Sequence, residues 1–273
     1  MEHDPLYADL SDRALVEVSG PDWRGFLQGL LTQDVDTLAD GDIRFAALLT
    51  PQGRLLFDLF VIGVGEACRL DCAADRRDAL IQRLSLYRLR AKVEIAASDL
   101  PVTALWNVDA APAGWLADPR LAALGYRGYG LPRPPGAQPA SYEAHRLALG
   151  VPGSADWGDD ATYPIEANFD LLNGIDFKKG CFVGQETTSR MKRRGAIKTR
   201  MAPIAFDGPA IAAGGELLAG GLRAGEVASG EDGLAMASLR LDRANGPDRV
   251  LPDGRSWRPL WPEWMTQAAP EKA

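Results

Sequence analysis

The run Ala14-Leu15-Val16-Glu17-Val18 alternates apolar and polar positions as a half-buried strand does. Ser19-Gly20-Pro21-Asp22 then turns the chain into a predicted helix with Trp23, Phe26, Leu27, Leu30 and Leu31 at helical spacing. Residues 43–49 and 54–62 read as strands joined by the hairpin-type turn Thr50-Pro51-Gln52-Gly53. A third strand at 67–73, a helix at 75–87 and a strand at 91–96 follow. Two strands at 101–108 and 113–117 precede the turn-rich stretch Leu131-Pro132-Arg133-Pro134-Pro135-Gly136, read as a surface connection. Helices are predicted at 139–149 and 184–193. From about residue 196, short apolar runs punctuated by Gly208-Pro209, Gly214-Gly215, Gly220-Gly221, Gly230 and Gly246-Pro247 predict a small all-β lobe of five or six strands. The tail after Trp264 is expected to fray. The order of elements is α+β, without regular βαβ alternation.

Composition narrows the class. With 273 residues, 46% hydrophobic and 25% charged, the chain is an ordinary globular protein of two to three lobes. A net charge of −7 argues against direct nucleic-acid binding and against an anionic membrane surface as partner. No apolar stretch approaches 18 residues, so no membrane span is expected. The start Met1-Glu2-His3-Asp4-Pro5 has neither an h-region nor an Arg-rich amphipathic character, so no targeting peptide is read there. Three cysteines fit a reducing compartment, and the expected location is cytoplasmic.

Candidate chemistry is sparse. With His3 at the terminus and His145 on a predicted helix, a Ser-His-Asp triad or a histidine metal site lacks material. No phosphate-cradling glycine motif is present. Cys68 and Cys72 share one face of a predicted strand with Leu70 and read as small buried hydrophobes, since nothing nearby completes a metal site. Cys181 differs. It lies in Phe177-Lys178-Lys179-Gly180-Cys181-Phe182-Val183-Gly184-Gln185-Glu186, just ahead of a predicted helix. The helix start and the two lysines are expected to raise its thiolate fraction, and the alternative is an inert turn cysteine. Six cations follow without an acid between them: Arg190, Lys192, Arg193, Arg194, Lys198 and Arg200. They read either as a solvated helix end or as an electropositive rim for an anionic ligand.

Lys179-Gly180-Cys181-Phe182-Val183-Gly184-Gln185-Glu186 resembles the K-G-C-[YF]-x-G-Q-E signature of the YgfZ family, related to the glycine-cleavage T-protein, an aminomethyltransferase. Arg146-Leu147-Ala148-Leu149-Gly150-Val151-Pro152 is similar to the family's R-x-x-x-G-[IV]-P, and Pro164-Ile165-Glu166-Ala167-Asn168 to its P-x-E-x-N. Phe26-Leu27-Gln28-Gly29 with Thr32-Gln33-Asp34-Val35 is similar to the shared opening helix and T-x-D-V segment. The resemblance implies a three-lobed ring with a central folate cavity and a small C-terminal β-barrel-like lobe. The implied division is 1–48 with 98–199 as the folate-binding-type lobe, 49–97 as an inserted ferredoxin-like lobe, 200–265 as the β-rich lobe and 266–273 as a frayed tail. Gly53-Arg54-Leu55-Leu56-Phe57-Asp58-Leu59 stands where the T-protein has G-G-x-x-D-D-L, which makes Asp58 a lone carboxylate and a candidate general acid or base. The T-protein's acid-rich pterin segment has no counterpart, because Gly125-Tyr126-Arg127-Gly128-Tyr129-Gly130 contains no acid, and Ala148 replaces a further glutamate.

The resemblance therefore implies a tetrahydrofolate-type cofactor held by Arg146, Glu166, Asn168, Lys179, Gln185, Glu186 and Arg190, with Cys181 and Asp58 as the reactive groups. Cys181 is also the single iron–sulfur ligand the chain offers, and no metal is expected to be held by this chain alone. The implied partners are iron–sulfur enzymes or cluster carriers. Three functions stand open at this point. One is a factor for assembly or repair of iron–sulfur enzymes, linked to tRNA methylthiolation. The second is a folate-dependent one-carbon transferase using Asp58. The third is a non-catalytic, folate-responsive binding module.

Overall fold

The computed structural model describes residues 4–158, 160–195, 197–266 and 268–270, with only the backbone at Arg194. One compact unit runs to Tyr142 and takes back Leu172–Thr187, and the other holds Glu143–Leu171 with the chain from Thr188 onward. His3 and the last three residues lie outside the described set.

The first unit carries ten strands: β1 (Leu6–Asp9), β2 (Arg13–Ser19), β3 (Ile43–Leu49), β4 (Leu55–Val64), β5 (Ala67–Ala73), β6 (Glu94–Ser98), β7 (Val102–Trp106), β8 (Leu116–Ala117), β9 (Tyr126–Tyr129) and β10 (Gln138–Pro139). Its helices are α1 (Trp23–Gln28) and α2 (Arg77–Arg88). One sheet, antiparallel throughout, runs β3-β4-β5-β2-β6, and a second, mixed through its parallel β1–β10 pair, runs β10-β1-β7-β9-β8. Strands β2 and β3, which the implied division put outside the 49–97 lobe, pair directly with β5, β6 and β4.

Period-two alternation splits the first sheet into two buried faces. Val16 and Val18 of β2, Phe57, Leu59 and Val61 of β4, and Cys68, Leu70 and Cys72 of β5 meet Leu80 and Leu84 of α2 and Trp23 and Leu27 of α1 in one core. Leu15, on the opposite face, packs with Val102, Ala104 and Trp106 of the second sheet. A strand buried on both faces reads as a continuous apolar run, as Leu55–Val64 does.

Charges occupy the face between the two sheets, and all of them are paired. Asp71 of β5 accepts from Arg13 Nε at 2.6 Å, Arg127 Nη1 at 2.8 Å and the Tyr129 hydroxyl at 3.0 Å. Arg127 also donates to Asp118 at 3.1 Å, which in turn accepts two hydrogen bonds from the Arg120 side chain. Arg13 reaches Asp58 at 2.8 Å. The Arg127 guanidinium lies 3.6 Å from the centre of the Phe60 ring, and Arg120 covers the same ring at 4.9 Å. Burial alone would raise the Asp118 carboxyl, but Arg120 and Arg127 hold it well below the usual carboxylate range.

The second unit contributes α3 (Tyr142–Ala148), which starts on the first unit's last residue, and α4 (Gln185–Arg194), whose first three residues belong to the first unit. Strands β11 (Thr199–Phe206), β12 (Glu216–Ala219), β13 (Leu222–Glu231), β14 (Leu234–Arg240) and β15 (Trp257–Pro259) form an antiparallel sheet ordered β12-β13-β14-β11-β15. Bulges at Leu217/Leu218 and Val227/Ser229 bend it. Its core takes in Ile204, Leu217, Val227, Leu239 and Trp257. The five strands match the all-β lobe expected from the glycine punctuation.

Three expectations need correction. Helix α1 stops at Gln28, and Leu31 instead bridges Leu48 in extended form after Gly29. The strand expected at 91–96 begins at Glu94, because the Asp22 carboxylate takes the Lys92 amide at 2.8 Å and holds that segment as a turn. The tail expected to fray after Trp264 is, among its described residues, held in at Met265, Ala268 and Ala269. Met265 is fully buried, and the Ala268 and Ala269 amides bond its carbonyl at 2.8 and 3.0 Å.

The charge layer sets a stability test. Arg127→Met leaves two buried aspartates short of a partner and should lower the unfolding free energy by about 3–5 kcal/mol, read from urea denaturation. A loss under about 1 kcal/mol would mean the sheets do not rely on this guanidinium. Because the Asp118 carboxyl is depressed, its contribution is complete above about pH 4 and lost as pH falls through the lower folded value. The difference between Arg127→Met and the parent should shrink in that acid range.

Candidate functional site

Three stretches far apart in the chain converge around Cys181. The Thr32 hydroxyl donates to Gly174 O at 2.6 Å and accepts the Ala47 amide at 2.8 Å. The Asp176 amide bonds Thr32 O at 2.9 Å, and the Val183 amide bonds Gly29 O at 3.2 Å. Gln33 Nε2 donates to Asn173 O at 2.8 Å. Residues 173–183 are thereby stitched along 29–33. The 50–53 turn closes the third side: a Cβ on Gly184 would fall 2.8 Å from both Gly53 Cα and Thr50 O. Gly53 and Gly184 both have left-handed backbone, φ +85° and +81°, so glycine is required at the two points of closest approach.

Lys179 locks the loop from within. Its ammonium donates to the carbonyls of Gln28, Leu31 and Gln33 at 2.8, 2.7 and 2.8 Å, which fills all three of its hydrogens. Burial draws the Lys179 pKa down to about 8, against the upward pull of Asp34, Asp176 and Asp36. The amides of Lys178 and Lys179 bond the Asp176 carboxylate at 2.7 and 3.2 Å, which turns the chain just before the cysteine. Phe182 is buried on the other side, with Lys179 Nζ 5.5 Å from its ring centre. Cys181 stands between these two anchors and is exposed.

This geometry changes the argument for the thiol. The Lys179 head, read from the sequence as part of the positive field on the sulfur, is bound to three carbonyls instead. Helix α4 begins at Gln185, four residues after Cys181, and the dipole's influence is confined to about the first turn. The case for Cys181 therefore rests on exposure and fixed position. Cys68 and Cys72 are buried in the sheet core, and burial pushes both thiols up to about 12. They are the small hydrophobes that their spacing suggested.

The remaining expected site residues divide between the two units. Asp58 is buried on β4 and is not a lone carboxylate, since Arg13 holds it at 2.8 Å. Gln185 donates through Nε2 to Gly180 O at 3.3 Å, and Glu186 is exposed. In the second unit, Arg146 is buried and donates to Glu143, to Asp156 at 2.8 Å and to Val151 O at 3.0 Å. Asn168 is fully buried, donating to Met201 O at 2.7 Å and accepting from Arg200 at 3.0 Å. The Glu166 carboxylate accepts the Tyr163 amide at 3.0 Å. Arg200 and Lys192 both pair with Asp170, which lies upstream of the basic run, so the run is not one free electropositive rim. Arg190, Arg193 and Lys198 are exposed, and the Arg194 side chain is outside the described set.

These commitments test the implied tetrahydrofolate. Arg146 and Asn168 have their polar atoms engaged inside the second unit and do not fit as its ligands. In the first unit the exposed Glu186 carboxylate fits as an acceptor for ring N–H donors; Arg190, in the second unit, is exposed as well. Among the described residues no group of three or more His, Cys, Asp or Glu is placed to hold a metal ion. Sequence reasoning missed Thr32 and Gly53 as the partners that shape the Cys181 loop, although both stand within stretches singled out there.

Comparison with known proteins bears on the family and the fold. Residues 198–267 match the C-terminal β-barrel domain of CAF17. The mitochondrial iron–sulfur cluster assembly factor IBA57 of Mus musculus is 32% identical over 282 residues, covering 87% of this chain and 78% of that protein. The Homo sapiens protein of the same description is 30% identical over 280 residues with the same coverage. Among solved structures, the glycine cleavage system aminomethyltransferase T from Bartonella henselae superposes with a TM-score of 0.70 over 88% of this chain and 79% of that one, at 19% identity. That likeness establishes an α+β T-protein-like fold with three sheets and a C-terminal half-barrel. On the identity and coverage of its relatives, the chain belongs to the IBA57/CAF17 (YgfZ) family of iron–sulfur cluster assembly factors.

Proposed function

We propose that this protein assists assembly or repair of iron–sulfur enzymes by presenting Cys181 as one thiolate to a cluster that a partner protein carries. The observation that carries the reading is an exposed thiol on a loop held by Lys179, Thr32 and the Gly53–Gly184 approach. A rigid loop presents the sulfur in one position without an ordering cost at the moment of contact. In the step itself the Cys181 thiol gives up its proton and its sulfur forms one S–Fe bond, while the carrier's thiolate on that iron breaks its own S–Fe bond and leaves as a thiol by taking up a proton. A cluster is held by several thiolates, and this chain exposes one, so the remaining ligands belong to the cluster carrier or client enzyme. The link to tRNA methylthiolation enters the same way, through an iron–sulfur enzyme on which that modification depends.

A tetrahydrofolate-type ligand is the second part of the proposal, supported by the T-protein-like fold and by the exposed Glu186 carboxylate. The one-carbon transferase reading has less support, because the Asp58 carboxylate is engaged by Arg13. Free thiols favour a reducing compartment, and the cytoplasm is the location proposed here; the curated relatives are named as mitochondrial. No helix among the described residues is long and apolar enough to cross a membrane.

Alkylation separates the three thiols. Iodoacetamide at pH 7–9 should label native protein at Cys181 only and denatured protein at all three cysteines, as counted by mass spectrometry. The sign of the buried thiol shifts adds a pH effect. Unfolded thiols ionise near their ordinary value of 9 while the folded ones hold their protons to about 12, so stability should fall as pH rises above about 9. Cys181→Ser should leave the unfolding free energy within about 0.5 kcal/mol and abolish support of iron–sulfur enzyme activity in cells. Full complementation by Cys181→Ser would sink the thiolate role. For the folate part, Glu186→Ala should weaken tetrahydrofolate binding at least tenfold by equilibrium titration, about 1.4 kcal/mol. Unchanged affinity would remove that carboxylate from the site.

A further inference from the structure

Leu86 and Leu89 are the most exposed large apolar side chains among the described residues, at 71% and 89%. They sit at the C-terminal end of α2, whose inward residues Leu80 and Leu84 are fully buried in the core. Their exposure is built into the backbone. Leu89 caps the helix with φ 44° and ψ −103°, a left-handed conformation that a bulky residue seldom adopts. The segment after it is fixed at several points. The Ala91 amide bonds Arg88 O at 2.8 Å, and Val93 is buried. The Asp22 carboxylate accepts the Lys92 amide at 2.8 Å. Gly20 lies so close to Lys92 O that a Cβ there would fall 2.4 Å away. A mobile loop would relax the leucine; this one holds it outward.

The charge around the two leucines points to an occupant. From Ala79 to Val93 there are four cations, Arg83, Arg88, Arg90 and Lys92, against the nearby acids Asp22, Asp78 and Glu94, so the local balance is still positive on a chain of net charge −7. All four are exposed. Cations in the last turn of a helix complement its dipole, which accounts for Arg88 but not for Arg90 and Lys92 beyond the helix end. An anionic surface is therefore drawn here, while an aliphatic pair gains only where a dehydrated socket receives it. Single-stranded nucleic acid is gripped by aromatic stacking, which leucine does not supply. A helix that lies on a membrane offers a broad apolar face, and α2 has committed Leu80 and Leu84 to the core. Strain, exposure and charge together fit a protein interface.

We propose that the end of α2 and the turn after it form a docking surface for an acidic protein that takes Leu86 and Leu89 into an apolar socket bordered by carboxylates. The surface is independent of the Cys181 thiol, so failure of one reading leaves the other intact.

The test places p-benzoylphenylalanine at Gln82, exposed and one helical turn before Leu86, in the full chain expressed in cells. The cross-linked protein is identified by mass spectrometry, purified and titrated against the parent and three variants. The expected result is an acidic protein whose affinity falls at least tenfold with Leu86→Ser/Leu89→Ser. It should fall as much with Arg83→Glu/Arg90→Glu, whose binding should also lose its salt dependence. Leu89→Gly relieves the left-handed backbone, so it should melt at an equal or higher temperature than the parent while binding more weakly. Cross-linking to RNA, to lipid, to a second copy of this chain or to nothing would overturn the proposal. So would unchanged affinity in either double variant, or a lower melting temperature for Leu89→Gly.

Discussion

Asp71 accepts hydrogen bonds from two arginines and a tyrosine while fully buried between two sheets, and much of the first unit is arranged to keep that possible. A carboxylate taken out of water is tolerable only when its partners arrive with correct geometry. Arg13 comes from β2 and Arg127 from β9, so the positions of two sheets are fixed against each other by one side chain. The guanidinium planes lie over Phe60, which lets them leave water without losing a favourable face. Asp58 belongs to this layer through Arg13. Its neighbours on β4 lead back to the 50–53 turn, and that turn supports the cysteine loop.

The loop uses a second unsatisfied set of groups. A helix ends with carbonyls that lack an intrahelical partner, and α1 has no basic residue in its last turn. Lys179 arrives from 151 positions downstream of Gln28 and satisfies Gln28 O and two further carbonyls. One ammonium therefore finishes a helix, shapes a loop and leaves the adjacent sulfur outside. For the thiolate role proposed above, position matters as much as reactivity.

Much of the fold was legible because burial follows alternation. Cys68, Leu70 and Cys72 read as one face and occupy one face. The glycine-punctuated lobe from about residue 196 is likewise the five-stranded sheet of the second unit. Asp71 and Arg13 were not legible: polar residues opposite a core face look solvated, and nothing local says that a second sheet covers them. The Lys179 assignment failed for a related reason, since a lysine beside a cysteine suggests a field whereas carbonyls from residues 28–33 captured it. Arg146 and Asn168 matched a motif, but a motif does not separate residues that hold a ligand from residues that hold the chain. The end of α1 was misread because Leu30 and Leu31 stay buried after the helix stops at Gln28.

The Gly53–Gly184 approach has a consequence for how the molecule comes into being. The residues that position Cys181 are contributed before residue 54 and after residue 172, with strands β4 to β10 of the two first-unit sheets between them. Contacts of such sequence separation form late, since the intervening chain must be ordered before closure is rewarded. On the ribosome, Cys181 emerges as an ordinary thiol on an unshaped segment and becomes a positioned one only when residues 173–187 fall back onto strands made much earlier. The thiol's presentation is thus a late product of folding, and a chain halted short of that closure would carry the same sulfur without its setting.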